Sequence, residues 1–465
     1  MLVITFLSFL ILFLFIGLAS YFSSQKTTED YLLAGRSISP ALVGLSAIAT
    51  NNSGFMFIGM IGMTYTSGLS AIWLALGWIL GDFIANFIAV KKIQIIGHQK
   101  NIQSYGELLA SWQGKNFKKI RVLAGFLTLI FLVVYAAAQL KAGSKATETM
   151  LDWSASSGIV ISAMIILAYS FVGGLRASIW TDVAQSIVMI SGMLLLLWVG
   201  THHFGGITNT LAKLQLVSET YMNWFSGTYF EWLLFFSGWV FGGLGVLGQP
   251  HIVIRFMTLD KVENVNKMRL YYYFWFLIAF LATIGVGLLT RLAIPESAGF
   301  DAELALPTMA NQLLPEFLVG MVLAAMFAAT MSTADSLILA CSAAITKDLL
   351  PHKKFNLITT KLITLSILVC ATLMALSNND TVFTLVLYAW GILSSAFVPL
   401  ILIYAFNKPI TEKLALMMII SGPIGYLFWK HSDNSALIYA VALGVMSGLL
   451  VYFIGQFQIK RIKHD

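Results

Sequence analysis

Thr330-Met331-Ser332-Thr333-Ala334-Asp335-Ser336 places five oxygen-bearing side chains inside an apolar stretch that runs from Phe317 to Ile345. An Asp at the centre of a membrane helix costs about 2.5–3.5 kcal/mol, so a cluster of this kind faces a cavity, a partner or an ion rather than lipid. At helical spacing Ala329, Ser332, Thr333 and Ser336 share one face, with Asp335 beside Ser332. That face offers hydroxyl and carboxylate oxygens, plus any carbonyl freed by local unwinding, to a small hard cation. Serine and threonine can instead bond back to the carbonyl one turn earlier. That alternative accounts for Ser332 and Thr333 and leaves Asp335 without a partner.

The surrounding chain is 58% hydrophobic and 11% charged, with a mean hydropathy of +0.84. Its 465 residues lack the polar surface a water-soluble globule needs. The expected fold is an all-α polytopic membrane protein in contact with the lipid bilayer. Apolar stretches of about 20 residues, the length that spans a bilayer, fall near 3–21, 41–63, 72–91, 121–146, 157–175, 182–200, 230–249, 271–293, 317–345, 356–377, 381–406, 411–429 and 435–457. These are thirteen spans, so the two ends lie on opposite sides of the membrane. Of the 28 Lys and Arg residues, 23 fall in alternate loops and at the carboxyl end. That bias puts the amino terminus outside and the carboxyl terminus in the cytoplasm of a multi-pass cell (inner) membrane protein. The pI near 9.2 is therefore a topology signal and implies no nucleic-acid partner.

The opening Met1 to Leu7 run has no basic residue before it, and the first positive charge, Lys26, follows the apolar stretch, so an uncleaved anchor is expected. Cys341 and Cys370 lie within apolar spans, where a disulfide framework has no purpose. The seven histidines form no metal-ligand spacing, and no nucleophile with a matching base stands at membrane depth. An enzyme is not expected. The chain carries no signalling domain up to Asp465, which argues against a sensor.

Two spans are interrupted at mid-depth. Ala49-Thr50-Asn51-Asn52-Ser53-Gly54 breaks the first with amides and a glycine. Gly242, Gly243, Gly245, Gly248, Gln249 and Pro250 break the second, where Pro250 removes a backbone donor and pushes Gln249 towards extended geometry. Each break opens a set of five spans, 41–200 and 230–406, flanked by peripheral helices 3–21, 411–429 and 435–457. Sets of odd number have opposite membrane orientation, so they are expected to be inverted repeats. Paired discontinuous helices in inverted halves point to a midplane binding site in a secondary transporter.

A further carboxylate, Asp182, lies at the start of the sixth span. It could cap that helix at its positive end. The functional alternative brings it to Ser332, Asp335 and Ser336, where two carboxylates side by side would need a cation between them or a proton on one.

Several motifs together resemble the sodium:solute symporter family and, within it, the bacterial sodium/proline symporters. They are Asp30-Tyr31-Leu32-Leu33-Ala34-Gly35-Arg36-Ser37, the Ser46-Ala47 to Ser53-Gly54 stretch, Gly173 to Gln185, Gly248-Gln249-Pro250-His251 with Arg255-Phe256-Met257, and Ala328 to Asp348. The resemblance implies an inverted five-plus-five (LeuT-like) core with one helix before it and two after, and alternating access driven by inward Na+ flow. Carried over by motif position, a Na+ site would take the carbonyls of Ala49, Asn52 and Ala329 and the hydroxyls of Ser332 and Thr333. Five neutral oxygens suit a hard monovalent cation. A possible second cation site would use Asp182, Ser332, Asp335 and Ser336. The solute would contact Asn51, Ser53, Gly54, Gly242, Val246, Gln249 and Pro250.

Departures from the family pattern bear on the solute. Asn51 stands where the proline transporters carry an Asp, and Gly242 and Val246 replace two aromatic pocket walls. Their loss enlarges or reshapes the pocket unless Trp239, Phe241 or Tyr388 compensates. The expected function is sodium-coupled import of a small organic solute, proline or a related amino acid. The alternatives are another small carboxylate, or proton-coupled uptake with Asp335 or Asp182 carrying the proton.

Overall fold

Gly174 and Gly68 decide how often the chain crosses the membrane. The helical stretch Ala155–His203 has 49 residues, about 70 Å of helix, against a hydrocarbon core of about 30 Å. It bends back at Gly174, where φ is 56° and ψ −140°. A Cβ there would also lie 2.3 Å from the Tyr31 carbonyl oxygen, so space and backbone both demand glycine. Gly68, with φ 70° and ψ −150°, makes the corresponding turn after the second crossing.

The computed structural model describes residues 1–295, 299–377 and 381–462. Lys463 and His464 of the basic carboxyl end lie outside the described residues. Thirteen long helical rods, with short helices in some of the connections, run through the described chain. We number them α1 (Leu2–Ala19), α2 (Pro40–Asn51, Phe55–Met60 and Ile61–Ser67), α3 (Ile72–Ala85, Asn86–Val90 and Lys91–Gln99), α4 (Lys118–Leu151), α5 and α6 (155–173 and 175–203) and α7 (Tyr229–Leu244, Gly245–Gly248 and Pro250–Met257). The remainder are α8 (Val265–Ala293), α9 (Glu316–Ala343, continued by Ala344–Leu349), α10 (Leu357–Ser377), α11 (Val382–Ala405), α12 (Glu412–Lys430) and α13 (Val441–Ile462). The sequence places a last span at 435–457; the helix begins later, because 431–440 forms turns.

The fold is the inverted five-plus-five core, α2–α6 and α7–α11, with α1 before it and α12 and α13 after. α9 is its axis: every residue from Val322 to Ala344 is buried. It packs against α4, α5, α6 and α1, so its polar cluster meets protein on all sides. The interrupted helices α2 and α7 open the two halves. α7 also crosses α3 backbone against backbone: a Cβ on Gly243 would sit 2.0 Å from the Trp78 carbonyl oxygen, and one on Gly81 would sit 1.9 Å from that of Val240. Small residues permit such approach between membrane helices.

The entry to α2 and the exit of α7 are joined. Ile38 N–H donates to Thr258 O at 3.1 Å, and Asp260 N–H donates to Ile38 O at 3.1 Å. Of the two interruptions, α7 breaks fully: Gln249 is extended (φ −101°, ψ 100°) and Pro250 restarts the helix at its first position. α2 breaks less than its sequence suggests. Only Asn52 leaves helical geometry (φ −85°, ψ 12°), and a wide π turn follows.

Candidate ion and solute site

Where α9 passes the interruption of α2, two hydroxyls reach across. Ser332 Oγ donates towards Ala49 O (3.3 Å) and Ala329 O (3.1 Å). Thr333 Oγ1 donates towards Thr50 O (3.0 Å) and Ala329 O (3.3 Å). The exposed carbonyls have a local cause. Gly54 N–H, which would cap Thr50 O in a regular helix, is drawn to Gln139 Oε1 of α4 at 2.8 Å, and Phe55 N–H turns to Ser53 Oγ at 3.2 Å. Gly54 fits there because a Cβ would meet Thr330 at 2.9 Å and Gln139 at 3.0 Å.

Ala49, Ala329, Ser332 and Thr333 are thus brought together by hydrogen bonds. Asn52 is buried at the interruption with its N–H on Ile48 O (2.9 Å), and no hydrogen bond joins it to the hydroxyl pair among the described residues. Thr50, which sequence reasoning missed, offers a further carbonyl, bonded by Thr333. The missing signal is tertiary, since only Gln139 loosens that turn.

One turn deeper lies an ionic cluster of different composition from the expected one. Asp182 is a turn or more inside α6 rather than at its cap, and it pairs with Arg255 of α7: Nη2 to Oδ2 is 2.8 Å. Arg255 is fully buried. Its Nε donates to Ser46 Oγ (2.8 Å), Nη1 to His251 O (2.8 Å), and Nη2 also to Ser178 Oγ (2.8 Å) and Ser336 Oγ (2.5 Å). Ser46 Oγ in turn donates to Asp182 Oδ2 at 2.6 Å. Ser336 Oγ lies 3.0 Å from Asp335 Oδ1 and 2.5 Å from Ser332 O. The expected group of Asp182, Ser332, Asp335 and Ser336 is therefore assembled, but a guanidinium stands between the two acids. A buried arginine at this depth is tolerated because its guanidinium is hydrogen-bonded to an acid, three hydroxyls and a carbonyl. Asp182 Oδ1 and Asp335 Oδ2 remain buried without a partner among the described residues.

The residues expected at the solute line the two interruptions and are all buried. Gln249 Nε2 donates to Trp390 O (3.2 Å) and Ser394 Oγ (3.1 Å), and Trp390 Nε1 donates to Gly242 O (3.0 Å). α11 thereby holds the freed part of α7 open. Pro250 continues directly into His251, which is buried with its ring 5.8 Å from that of Tyr135. Tyr135 donates to Ser53 Oγ at 3.2 Å. Between the breaks several buried polar atoms lack partners among the described residues: Asn51 Oδ1, Asn52 Nδ2, Gln139 Nε2, Gln249 Oε1 and both His251 ring nitrogens. Buried polar atoms are rarely left so unless something else fills them.

The aromatic wall differs from every expected candidate except Trp239. A Cβ on Gly242 would meet the Tyr439 ring at 3.1 Å, and that ring stacks on Trp239 at 4.6 Å. Trp78 continues the stack, 5.7 Å from Trp239 and 5.0 Å from Trp390. Tyr388 is turned away beneath Lys430, 4.2 Å from its ammonium. Phe241 is half-buried and takes no part in the stack. Val246 is buried beside the break.

Neutral oxygens of α9 facing the interruption of α2, in a core whose inverted halves each open with a broken helix, define a secondary transporter. The chain belongs to the sodium:solute symporter family, whose sequence profile matches residues 31–422. It is 29% identical to the high-affinity proline transporter PutP of Bacillus subtilis, over 94% of each chain. It is also 29% identical to sodium/proline symporter 2 of Staphylococcus saprophyticus, over 97% of this chain and 92% of that one. Among solved structures, a Na+-coupled sialic acid symporter in a substrate-bound outward-open state has the same fold, with a TM-score of 0.81 at 19% identity, covering 96% of this chain and 95% of that chain.

Proposed function

We propose that this protein imports a small amino acid, with proline the leading solute, by coupling its entry to inward Na+ flow. The observation that carries the reading is the pair of α9 hydroxyls, Ser332 and Thr333, aimed at carbonyls of the interrupted α2. Proline as the solute is supported by relatives named for proline transport. The amino terminus lies outside and the carboxyl terminus in the cytoplasm, as the basic loops dictate.

Na+ takes the oxygens of Ala49, Thr50 or Asn52, Ala329, Ser332 and Thr333, which otherwise satisfy one another. It pins α2 to α9 and fixes the geometry of the interruption. The solute's carboxylate then meets the amide donors at a restarted half-helix, between Asn51, Ser53 and Gly54 on one side and Gly242, Val246, Gln249 and Pro250 on the other. Coupling is the reciprocal gain in affinity that ion and solute confer on each other. Each charge moved inward gains about 2.3 kcal/mol per 100 mV of membrane potential. A second cation at Asp182, Ser332, Asp335 and Ser336 competes with the Arg255 guanidinium for the same oxygens, so its binding requires Arg255 to withdraw.

Uptake by purified protein in proteoliposomes tests the reading, with an amino-acid panel and with Na+ replaced by K+ or Li+. Ser332→Ala combined with Thr333→Ala is expected to raise the Na+ concentration for half-maximal uptake severalfold; unchanged Na+ dependence refutes the site. Uptake indifferent to Na+ that collapses with a pH gradient selects proton coupling instead.

A further inference from the structure

Asp82 of α3 is fully buried and belongs to none of the groups described above. Its Oδ2 accepts from Asn51 Nδ2 (3.1 Å) and from the Tyr272 hydroxyl (2.8 Å), and its Oδ1 accepts from the Tyr273 hydroxyl (2.8 Å). Asn51 Nδ2 also donates to the Tyr272 oxygen at 2.6 Å. Tyr272 therefore receives one bond and passes its own proton towards the acid. All three partners are neutral, and all three donate. Asn51 Nδ2 can only donate, and the Tyr272 oxygen already accepts from it, so of the three partners only the Tyr273 hydroxyl could take a proton from Asp82, and the set favours the ionised carboxylate. The basic residue nearest in sequence register, Arg269 on α8, is committed elsewhere: Nε and Nη2 bond the Asn86 side chain and carbonyl at 2.8 Å, and Nη1 bonds Asn266 at 2.9 Å.

Asn51 connects this charge to the hydroxyl–carbonyl site. Its side chain holds Asp82, and its peptide begins at the Thr50 carbonyl that Thr333 bonds. The candidate oxygens at that site are all carbonyls and hydroxyls, without formal charge. We propose that Asp82 is the positioning counter-charge of the cation site: acting through Asn51, it supplies the negative potential that neutral oxygens lack and fixes the carbonyls at the α2 interruption. A charge held in low dielectric acts over several ångströms with little screening. Before the ion arrives Asp82 is uncompensated, so cation binding relieves a cost already present in the fold. The inference rests on the sodium-site reading above.

The test is Asp82→Asn, which keeps shape and removes charge, read by Na+-dependent uptake and by the Na+-induced change in tryptophan fluorescence, since Trp78 lies one turn away on α3. The expected result is a half-maximal Na+ concentration raised about tenfold, with the solute KM at saturating Na+ within twofold of the unsubstituted chain. The swap Asn51→Asp with Asp82→Asn returns the charge to the same cluster from the neighbouring helix, and it is expected to restore the Na+ requirement to within about threefold. Folded Asp82→Asn protein with unchanged Na+ affinity overturns the proposal. So does a shift confined to the solute KM, or a folded swap as weak for Na+ as the single variant. If Asp82→Asn alone fails to fold, the swap decides by the same criterion. Should the Ser332 and Thr333 alanine variant keep its Na+ dependence, the site reading itself falls; should that variant lose it while Asp82→Asn does not, only the role of Asp82 falls.

Discussion

Tyr439 shows how a single side chain from outside the repeats fills a space that a glycine leaves inside them. Gly242 leaves space on α7, and Tyr439 fills it while stacking on Trp239. If the proposed solute lies against Gly242, removing the ring in Tyr439→Ala opens volume beside it, and discrimination between proline and bulkier amino acids is expected to fall about tenfold, within the range one packed apolar group can supply. Competition of unlabelled amino acids against labelled proline measures it; unchanged selectivity would place Tyr439 in packing alone. At this scale the sequence was partly legible. Ser332, Thr333 and Asp335 stand out because polar groups in an apolar run need a reason. Arg255 and Tyr439 do not, because each finds its partner, Asp182 or Gly242, on another helix distant in the chain, with no periodicity linking them.

Among elements, the crossing of α3 and α7 has the least tolerance. Gly243→Ala would place a methyl 2.0 Å from the Trp78 carbonyl oxygen, and a backbone group cannot step aside as a flexible side chain does. The helices would separate, disturbing both the Trp78–Trp239 stack and the position of Asp82. The expected outcome is a loss of apparent stability of about 1–3 kcal/mol, the usual cost of overpacking, read as a lower melting temperature in detergent with weakened uptake. The break in α7 is legible from Gly248-Gln249-Pro250, since proline and glycine act locally. That of α2 is not legible in extent, since the backbone stays near-helical and the change depends on Gln139 of α4 taking one amide.

For the whole molecule, an ion that binds only the folded state stabilises it. Na+ at a hundredfold excess over its dissociation constant is expected to add about 2.7 kcal/mol, seen as a melting temperature that climbs with Na+ but not with K+. In the Ser332 and Thr333 alanine variant the climb should need severalfold more Na+. The number of crossings follows from apolar length, and the inverted halves from two breaks and an odd count, so the architecture was largely written in composition and punctuation. What carries the chemistry between halves was less so, because Arg255 and Asp82 owe their roles to packing.

The short backbone pairing of Ile38 with Thr258 and Asp260 has a mechanical meaning. It rivets the foot of one discontinuous rod to the foot of the other, so the two travel as a single lever. That pair is held to α6 and α9 where Ser46 and Arg255 grip Asp182, Ser178 and Ser336. Those contacts form the clasp, and the riveted pair is its handle.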